Sequence, residues 1–448
     1  MNSTDGRILR LAVPSILTAL STPLIGIADT AMIGHLSDVA FMGAVSTANL
    51  IFNAIFWCLA FLRMGTTAQV AQYFGAADRR ECAGVLYRSL LLAGFLGVVI
   101  VASNDWISQT GFSLAGGSTE VQHWGMRYFS IRVWEAPLVL SLLTLNGFFL
   151  GTANALAPLW VTIVANLANI GFDYVLIFGK WGAPELGVEG AAWASVLANA
   201  LALVMGLLLL LHRYRPYLRE WPEKIWRLGS MKRLLSTNAF LFGRTFCLQF
   251  AGFFMLSMVS RMGEAQLAAN AVVLQIWGLA SFGVDGFAHA AETLVGNSLG
   301  ARLFSEARNI ARRIILWGGC MGLGFGVVYF AALENIVALF TPHQEVLEQV
   351  GSLYLLISLI QPLNAVVFVF DGIFIGASDM RYMFKAMALA TLVAFVPSAL
   401  VFVYWLDLGL VGAWIAYNAL MLGRFIALWP RYCSDAWLRT FVEEDESG

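Results

Sequence analysis

The chain has 448 residues, of which 59% are hydrophobic and only 12% are charged, and its formal net charge is −1. A soluble domain carries roughly 25% charged residues, so this composition excludes an ordinary soluble protein and predicts a polytopic membrane protein. The balanced charge gives no field that would attract nucleic acid, and no nucleic-acid partner is expected.

Long apolar windows predict twelve membrane-spanning helices, which we call spans one to twelve in chain order. They lie at residues 8–34, 41–73, 85–105, 127–151, 158–179, 187–212, 235–260, 266–299, 310–333, 350–376, 384–405 and 410–430. Basic residues collect in the loops on one side of the membrane, whereas the opposite side has few of them. Because positively charged loops stay in the cytoplasm, both termini are expected there.

The hydrophilic stretch HRYRPYLREWPEKIWRLGSMKRL separates spans six and seven. It predicts an N-terminal lobe (1–212), a cytoplasmic linker (213–234) and a C-terminal lobe (235–448). Its Trp and Tyr residues suit the headgroup level of a bilayer, and its Arg and Lys residues suit anionic lipid. We therefore interpret it as an interfacial linker whose partner is membrane lipid.

The two halves of the chain resemble each other at a nearly constant offset, equal to about half of the sequence. NGFFLG (146–151) corresponds to DGIFIG (371–376), and GVEGAAW (187–193) corresponds to GLVGAWI (409–415). Each half holds an even number of spans, so both halves enter the membrane from the same side and the repeat is parallel. The predicted fold is all-α, with two six-helix bundles related by a pseudo-two-fold axis along the membrane normal, as in many secondary transporters.

Acidic and amide residues interrupt two apolar spans of the first half. Span one contains Asp29 in LIGIADTAMIGHL, and span five contains Asn166, Asn169 and Asp173 on one helical face. Asp29 and Asp173 lie at matching depth, so the two carboxyls could meet and share a proton, as like charges do in a dry site. The alternative is that they only bond amide donors and join helices, although an amide would do this without the cost of a charge.

The second half places its polar residues differently. Span eight contains Asp285, His289 and Glu292 at i, i+4 and i+7, which is a second candidate proton site, unless Glu292 is simply solvated. In span ten, Asp371 takes the repeat position of Asn146. One half therefore has a carboxylate where the other has an amide.

Two basic residues in the spans need acidic partners. Arg244 in span seven has Asp285 or Asp371 as its candidate partner, whereas Arg132 in span four is expected to be neutralised by Glu135. A carboxylate paired with Arg244 would be held ionised and would carry protons poorly.

The sequence lacks the motifs of enzymes and metal centres. It has no GxxxxGK[ST] loop and no HExxH motif, and its five histidines and five cysteines are dispersed. We expect neither an enzyme nor a metal centre, and no cofactor other than a coupling ion, H⁺ or Na⁺, whose gradient drives transport.

Several motifs, in their order and spacing, resemble the MATE multidrug and toxin extrusion family. They are PLIGIADTAMIGHL, FLRMGTTAQVAQYFGA, NLANIGFDYVLIFG and the GVEGAA turn, with Pro14 fifteen residues before Asp29. The resemblance covers nearly the whole chain and is strongest for the DinF-like branch of bacterial transporters. It implies the V-shaped MATE/MOP-type fold and a location in the bacterial inner membrane; a monomer is expected.

The resemblance also implies a cation-coupled antiporter that exports amphipathic, often cationic compounds by alternating access. Asp29 matches the proton-binding aspartate of span one, and Asn169 and Asp173 match the amide and carboxylate that complete this site. Ser195 matches a hydroxyl of span six. Pro14 matches the proline at which the first helix is thought to bend when the aspartate changes protonation.

The chain departs from the sodium-coupled branch of this family, in which an acid of span seven pairs with an aspartate of span ten. Asp371 is present here, but span seven offers Arg244 and no acid. This difference favours protons at the first-half cluster, with Na⁺ at Asp29 and Asp173 as the alternative.

Two other functions stay open on the sequence alone. A flippase for a lipid-linked or amphipathic metabolite would need a strongly cationic cleft, and Arg244 is the clearest basic residue deep in a span. A channel would give uncoupled currents, and an intramembrane enzyme would need a catalytic triad that the sequence does not show. The candidate residues of a substrate cleft are Asn146 and Asn166.

Overall fold

The computed structural model describes residues 4–35, 39–219 and 228–438. Every regular element in these ranges is a helix, and twelve helical segments fall on the twelve predicted spans, so the all-α prediction is confirmed. We label them α1 (Thr4–Ile33), α2 (Ala40–Gly75), α3 (Arg79–Ala102), α4 (Thr119–Gly151), α5 (Leu156–Phe178), α6 (Val188–Arg213), α7 (Leu228–Val259), α8 (Glu264–Gly300), α9 (Phe304–Ala338), α10 (Gln361–Gly376), α11 (Met380–Trp405) and α12 (Gly409–Cys433).

Within the described residues, ten of these helices are long and apolar enough to cross a membrane, and α10 is a shorter apolar helix of 16 residues. Large apolar side chains also point outward along the helices. Phe95 and Val98 of α3 are both 64% exposed, and Leu208 of α6 is 60% exposed. Lipid is the environment in which such surfaces are stable, so the chain is a multi-pass membrane protein.

Proline positions explain where the helices depart from the predicted windows. The window 350–376 is not one helix, because turns separate Gln344–Ser352, Tyr354–Leu359 and α10. Pro362 is the second residue of α10, where its missing N–H costs nothing. In α11 the backbone is π-helical on both sides of a short α-helical turn that contains Pro397.

The structure reproduces the internal repeat. Helical segments begin at positions 39, 79 and 136 in the first half and at positions 264, 304 and 361 in the second, so the offset is the same for all three pairs. The segment Ala136–Gly151 of α4 and its counterpart α10 both have 16 residues and a proline at the second position.

Glycines of the repeated motif let backbones approach closely. A Cβ atom at Gly147 of α4 would lie 2.6 Å from the carbonyl oxygen of Arg63 in α2. At Gly372 of α10, a Cβ atom would overlap the carbonyl oxygen of Ala288 in α8. Small residues are the usual means of close helix packing in membranes, so the motif NGFFLG/DGIFIG has a structural role in each half.

Two compact units can be distinguished. One comprises residues Leu17–Leu234, and the other comprises Met1–Ile16 and Leu235–Gly448. Helix α1 runs without interruption from Thr4 to Ile33. Its residues up to Ile16 belong to the unit that contains Leu235–Gly448, which we call the second unit, and its residues from Leu17 onward belong to the first unit. The predicted lobes and linker stay a prediction, and residues 220–227 of the linker lie outside the described residues.

Candidate functional site

Two carboxyl groups from different helices meet in the first half. Asp29 of α1 is 9% exposed and Asp173 of α5 is 1% exposed, and the two side chains lie close enough to interact with each other. Oδ1 of Asp29 and both oxygens of Asp173 are buried and receive no hydrogen bond in the described parts of the chain. Ionised carboxylates only accept hydrogen bonds, so a proton on one of the two groups would supply the missing donor. The site can therefore hold one proton between the two carboxyls.

The polar face of α5 is directed towards α1. The side-chain amide of Asn166 donates to the carbonyl oxygen of Ser21, at 3.2 Å, two helical turns before Asp29. Asn169 is buried one turn before Asp173. The side-chain oxygens of both asparagines are buried and receive no hydrogen bond from any residue that the structure describes.

These acceptor oxygens define what the site could hold. Carboxylate and amide oxygens suit a proton or a hard cation such as Na⁺, and several of them here are buried without a donor. In the ranges that the structure covers, no three His, Cys, Asp or Glu side chains come together as metal ligands would. The donor set therefore fits the coupling ions expected from the sequence.

An arginine stands beside the carboxyl pair. The guanidinium group of Arg132 in α4 interacts electrostatically with Asp29 and with Asp173. It donates to Tyr128 Oη at 3.0 Å and to the side-chain oxygen of Asn49 in α2. These contacts hold one positive charge close to two acidic groups.

Glu135 extends this network to α6. Its Oε1 accepts from Arg132 Nε at 2.9 Å, so the expected local pair forms. Its Oε2 accepts from the side chain of Asn199 at 3.1 Å, and the same amide donates to the carbonyl of Ser195 at 3.0 Å. Sequence reasoning missed Asn199, although a polar residue within the apolar run SVLANALALV is a usable signal.

Two other predicted residues of this half are Ser195 and Pro14. Ser195 is buried on α6, and its hydroxyl makes no hydrogen bond to Asp29, Asn169 or Asp173 in the part of the chain described. Pro14 is buried within an unbroken α1, two residues before the boundary between the two units. The roles of Ser195 and Pro14 therefore stay predictions.

Asn146 is placed differently from its counterpart in the second half. Its side-chain oxygen is buried and accepts no hydrogen bond from the residues that the structure describes. The repeat mate Asp371 is instead the centre of an ion cluster. The matched position thus carries an uncharged group in one unit and a charged group in the other.

Asp371 of α10 bonds two arginines at once. Arg244 of α7 and Arg424 of α12 both donate to its Oδ2, the latter at 2.5 Å. Of the two candidate partners for Arg244, the structure selects Asp371. Arg424 was missed by sequence reasoning, although an arginine within the apolar stretch MLGRFIAL signals an ionisable group deep in a span.

The acidic face of α8 does not join this cluster through a direct contact of Arg244 or Arg424. The side chain of Glu292 is 2% exposed, so its interpretation as a solvated residue is wrong. Asp285 and His289 are half-buried. The predicted role of this face in proton transfer stays a prediction.

Helices at all twelve predicted spans, a two-fold internal repeat and a buried carboxyl pair are typical of a polytopic protein of the secondary-transporter class. The sequence model of the MatE family matches two segments of the chain, residues 14–175 and 241–400. The chain belongs to this family. The two matched segments fall in the two halves of the internal repeat, one in each.

Relatives and a solved structure agree with this assignment. DNA damage-inducible protein F of Escherichia coli is 33% identical over 438 residues, covering 96% of this chain and 93% of that protein. The probable multidrug resistance protein NorM of Thermotoga maritima is 26% identical over 447 residues, covering 97% and 93%. A crystal structure of MATE in the bent conformation has a TM-score of 0.85 at 21% identity and covers 100% of this chain and 97% of that one.

These findings confirm the MATE resemblance, its DinF-like character and the twelve-helix fold. NorM is named as a probable multidrug resistance protein, and the relative YisQ of Bacillus subtilis is named as an uncharacterized transporter, in line with the expectation that the chain is not an enzyme.

Proposed function

We propose that the chain exports amphipathic, often cationic compounds in exchange for a proton held by Asp29 and Asp173. The observation that carries this proposal is the proximity of these two buried carboxyls, whose buried oxygens receive no hydrogen bond in the described chain and would gain a donor from a bound proton. We also propose that the protein lies in the bacterial inner membrane as a monomer, with both termini in the cytoplasm.

The charges of the network explain why proton and cation would compete. Asp29, Asp173 and Glu135 supply up to three negative charges against the one positive charge of Arg132. Each proton that the carboxyl pair binds removes one negative charge from this cluster. A cationic substrate is therefore held best when the pair has lost its proton, and proton entry favours its release.

The same contacts connect protonation to the first helix. Asp29 interacts with Asp173 of α5, and Asn166 joins α5 to the backbone of α1 at Ser21. Loss of the shared proton leaves two like charges in contact, and their repulsion acts on α1. Pro14 lacks an N–H donor, so a bend at this position costs no additional hydrogen bond.

Transport into proteoliposomes tests the coupling role. One pH unit drives roughly a tenfold accumulation of a fluorescent monovalent cation that exchanges with one proton. We expect Asp29→Asn and Asp173→Asn to abolish this accumulation. Asp407→Asn is the matched control, because Asp407 is exposed and its φ of 49° suits asparagine.

Two outcomes would contradict the proposal. Accumulation that persists in Asp29→Asn at equal expression would remove Asp29 from the mechanism. Accumulation that follows an imposed Na⁺ gradient, and not a pH gradient, would assign the same oxygens to Na⁺.

The flippase alternative required a strongly basic cleft. The structure adds Arg424 to Arg244 as a second buried arginine, so it supports binding of an anionic ligand more strongly than the sequence alone did.

A further inference from the structure

The second unit contains a buried cluster with more positive than negative charge. Arg244 and Arg424 both donate to one oxygen of Asp371, and their side chains are 7%, 1% and 8% exposed in this order. No other acid forms an ion pair with either arginine among the described residues. Two guanidinium groups therefore share one carboxylate, which leaves one positive charge.

Much of the hydrogen-bonding capacity of the two arginines is unused. A guanidinium has five N–H donors, and Nε of Arg244 is buried without an acceptor in the described chain. Beyond Asp371, the partners of Arg424 are neutral: its Nη1 lies 3.4 Å from Met421 Sδ, and its guanidinium lies 5.8 Å from the centre of the Phe368 ring. Oδ1 of Asp371 is also buried without a donor within the described ranges, so the folded chain leaves donors of both arginines free to bind a further acceptor.

The surroundings on α10 suit an amphipathic molecule. Asn364, Phe368 and Asp371 follow i, i+4, i+7 spacing and share one helical face. Asn364 is 2% exposed, and neither its amide nitrogen nor its oxygen has a partner among the residues described. An aromatic ring and an unpartnered amide therefore lie next to the ion cluster, along about 10 Å of α10.

Physical chemistry connects these observations with an anion. A charged side chain inside a span faces the protein interior or a water-filled cavity, and an unpaired one is costly there. Paired guanidinium groups match the oxygens of carboxylate, sulfate and phosphate groups. The Phe368 ring beside them favours an apolar body attached to the anionic group.

We propose that Arg244 and Arg424 bind the anionic group of an amphipathic ligand, a carboxylate, sulfate, sulfonate or phosphate ester. The site lies in the second unit and is opposite in charge to the carboxyl cluster of the first. It goes beyond the proposed proton coupling and does not depend on Asp29. The compounds that the protein accepts then include amphiphiles with an acidic group.

Calorimetric titration of the full-length protein in detergent tests this site without any ion gradient. Naphthalene-1-sulfonate and 1-naphthylmethylammonium share the same ring system and differ in the sign of their charge. We expect the sulfonate to bind the wild-type protein, and the ammonium compound, which the carboxyl cluster of the first unit could bind, not to displace it. Absence of sulfonate binding, or displacement of the bound sulfonate by an equal concentration of the ammonium compound, would overturn the proposal.

Three variants, compared with the wild type, vary the charge of the cluster and complete the test. The wild-type cluster has charge +1, Arg424→Gln has 0, Asp371→Asn has +2, and the double variant returns to +1. We expect the sulfonate affinity to fall about tenfold in Arg424→Gln, to rise severalfold in Asp371→Asn and to return near the wild-type value in the double variant.

A rise in affinity cannot come from misfolding, so Asp371→Asn decides the question even where Arg424→Gln folds poorly. Equal affinity in wild type and Asp371→Asn would overturn the proposal. Because the assay uses no gradient, its failure and the failure of proton coupling are distinguishable.

Discussion

At the scale of single residues, the two units bury clusters of opposite charge. The first surrounds one arginine, Arg132, with Asp29, Asp173 and Glu135, whereas the second surrounds one carboxylate with two arginines. Helical spacing and depth predicted which polar residues of one span share a face. Depth also predicted that Asp29 and Asp173 could meet. Other partners across helices, such as Arg424, were not predicted, because they depend on how the helices pack.

The contacts of Arg132 include one that the sequence predicted and several that it did not. Its pairing with Glu135 follows from a separation of three residues on one helix. Its contacts with Tyr128 Oη and the Asn49 side chain, and its interaction with Asp29, depend on the tertiary arrangement. Nothing in the local pattern specified these partners.

We expect the Arg132–Glu135 pair to behave as an energetically coupled unit. Glu135 is 1% exposed, so Arg132→Gln leaves a buried charge without its partner and should lower the free energy of unfolding by about 3–5 kcal/mol. Glu135→Gln should destabilise similarly for the same reason. The free energy of unfolding of the double variant should fall by about 1–3 kcal/mol less than the sum of the two single losses.

Thermal unfolding of the four proteins in one detergent measures this coupling. Arg127→Gln is the control, because the Arg127 side chain is 54% exposed and its pairing with Glu189 contributes little. Strictly additive losses in the double variant would show that Arg132 and Glu135 contribute independently.

At the scale of helices, apolar length predicted the spans well because the bilayer fixes the length that a helix must have. The predicted window 158–179 corresponds to α5, Leu156–Phe178. The prediction of one helix over residues 350–376 was wrong, because the length of an apolar window does not show where turns interrupt the helix. The π-helical segments of α11 also have no signal in hydropathy, although Pro397 marks their position.

Glycines at helix contacts give a prediction at this scale. Gly372→Ala should push α10 away from the Ala288 carbonyl of α8 and lower the free energy of unfolding by about 1–3 kcal/mol. Gly324→Ala in α9 is the matched control, since its Cβ would meet nothing within 4 Å. Alanine is favoured over glycine in a helix by about 1 kcal/mol, so this control should be neutral or stabilising.

Thermal unfolding of the two glycine variants in the same detergent compares them directly. The midpoint should fall for Gly372→Ala only. An unchanged midpoint for Gly372→Ala would show that the contact between α8 and α10 relaxes without cost.

At the scale of the whole molecule, the repeat is the feature that the sequence predicted most completely. Segment pairs at a nearly constant offset predicted two similar halves, and helices that begin at matching positions of the two halves reproduce this repeat. The two units have nevertheless diverged in charge, since Asn146 corresponds to Asp371. Sequence symmetry thus predicted the architecture, while the chemistry of each unit depended on individual substitutions.

The charge of the transported compound decides how the whole protein uses the membrane potential. When one monovalent cation leaves as one proton enters, no net charge moves and the potential contributes nothing. When a zwitterion without net charge leaves, the proton carries one charge inward, and 100 mV contributes about 2.3 kcal/mol, or roughly 50-fold in accumulation. A zwitterion also offers the acidic group that the arginine pair would bind.

We therefore expect transport of a zwitterionic probe in proteoliposomes to respond to an imposed potassium diffusion potential. Transport of a monovalent cation, at the same pH gradient, should not respond to it. Removing the Na⁺ gradient should leave both unchanged. Potential-dependent accumulation of the cation would show that more than one proton enters per cycle, because only the additional charge could then respond to the potential.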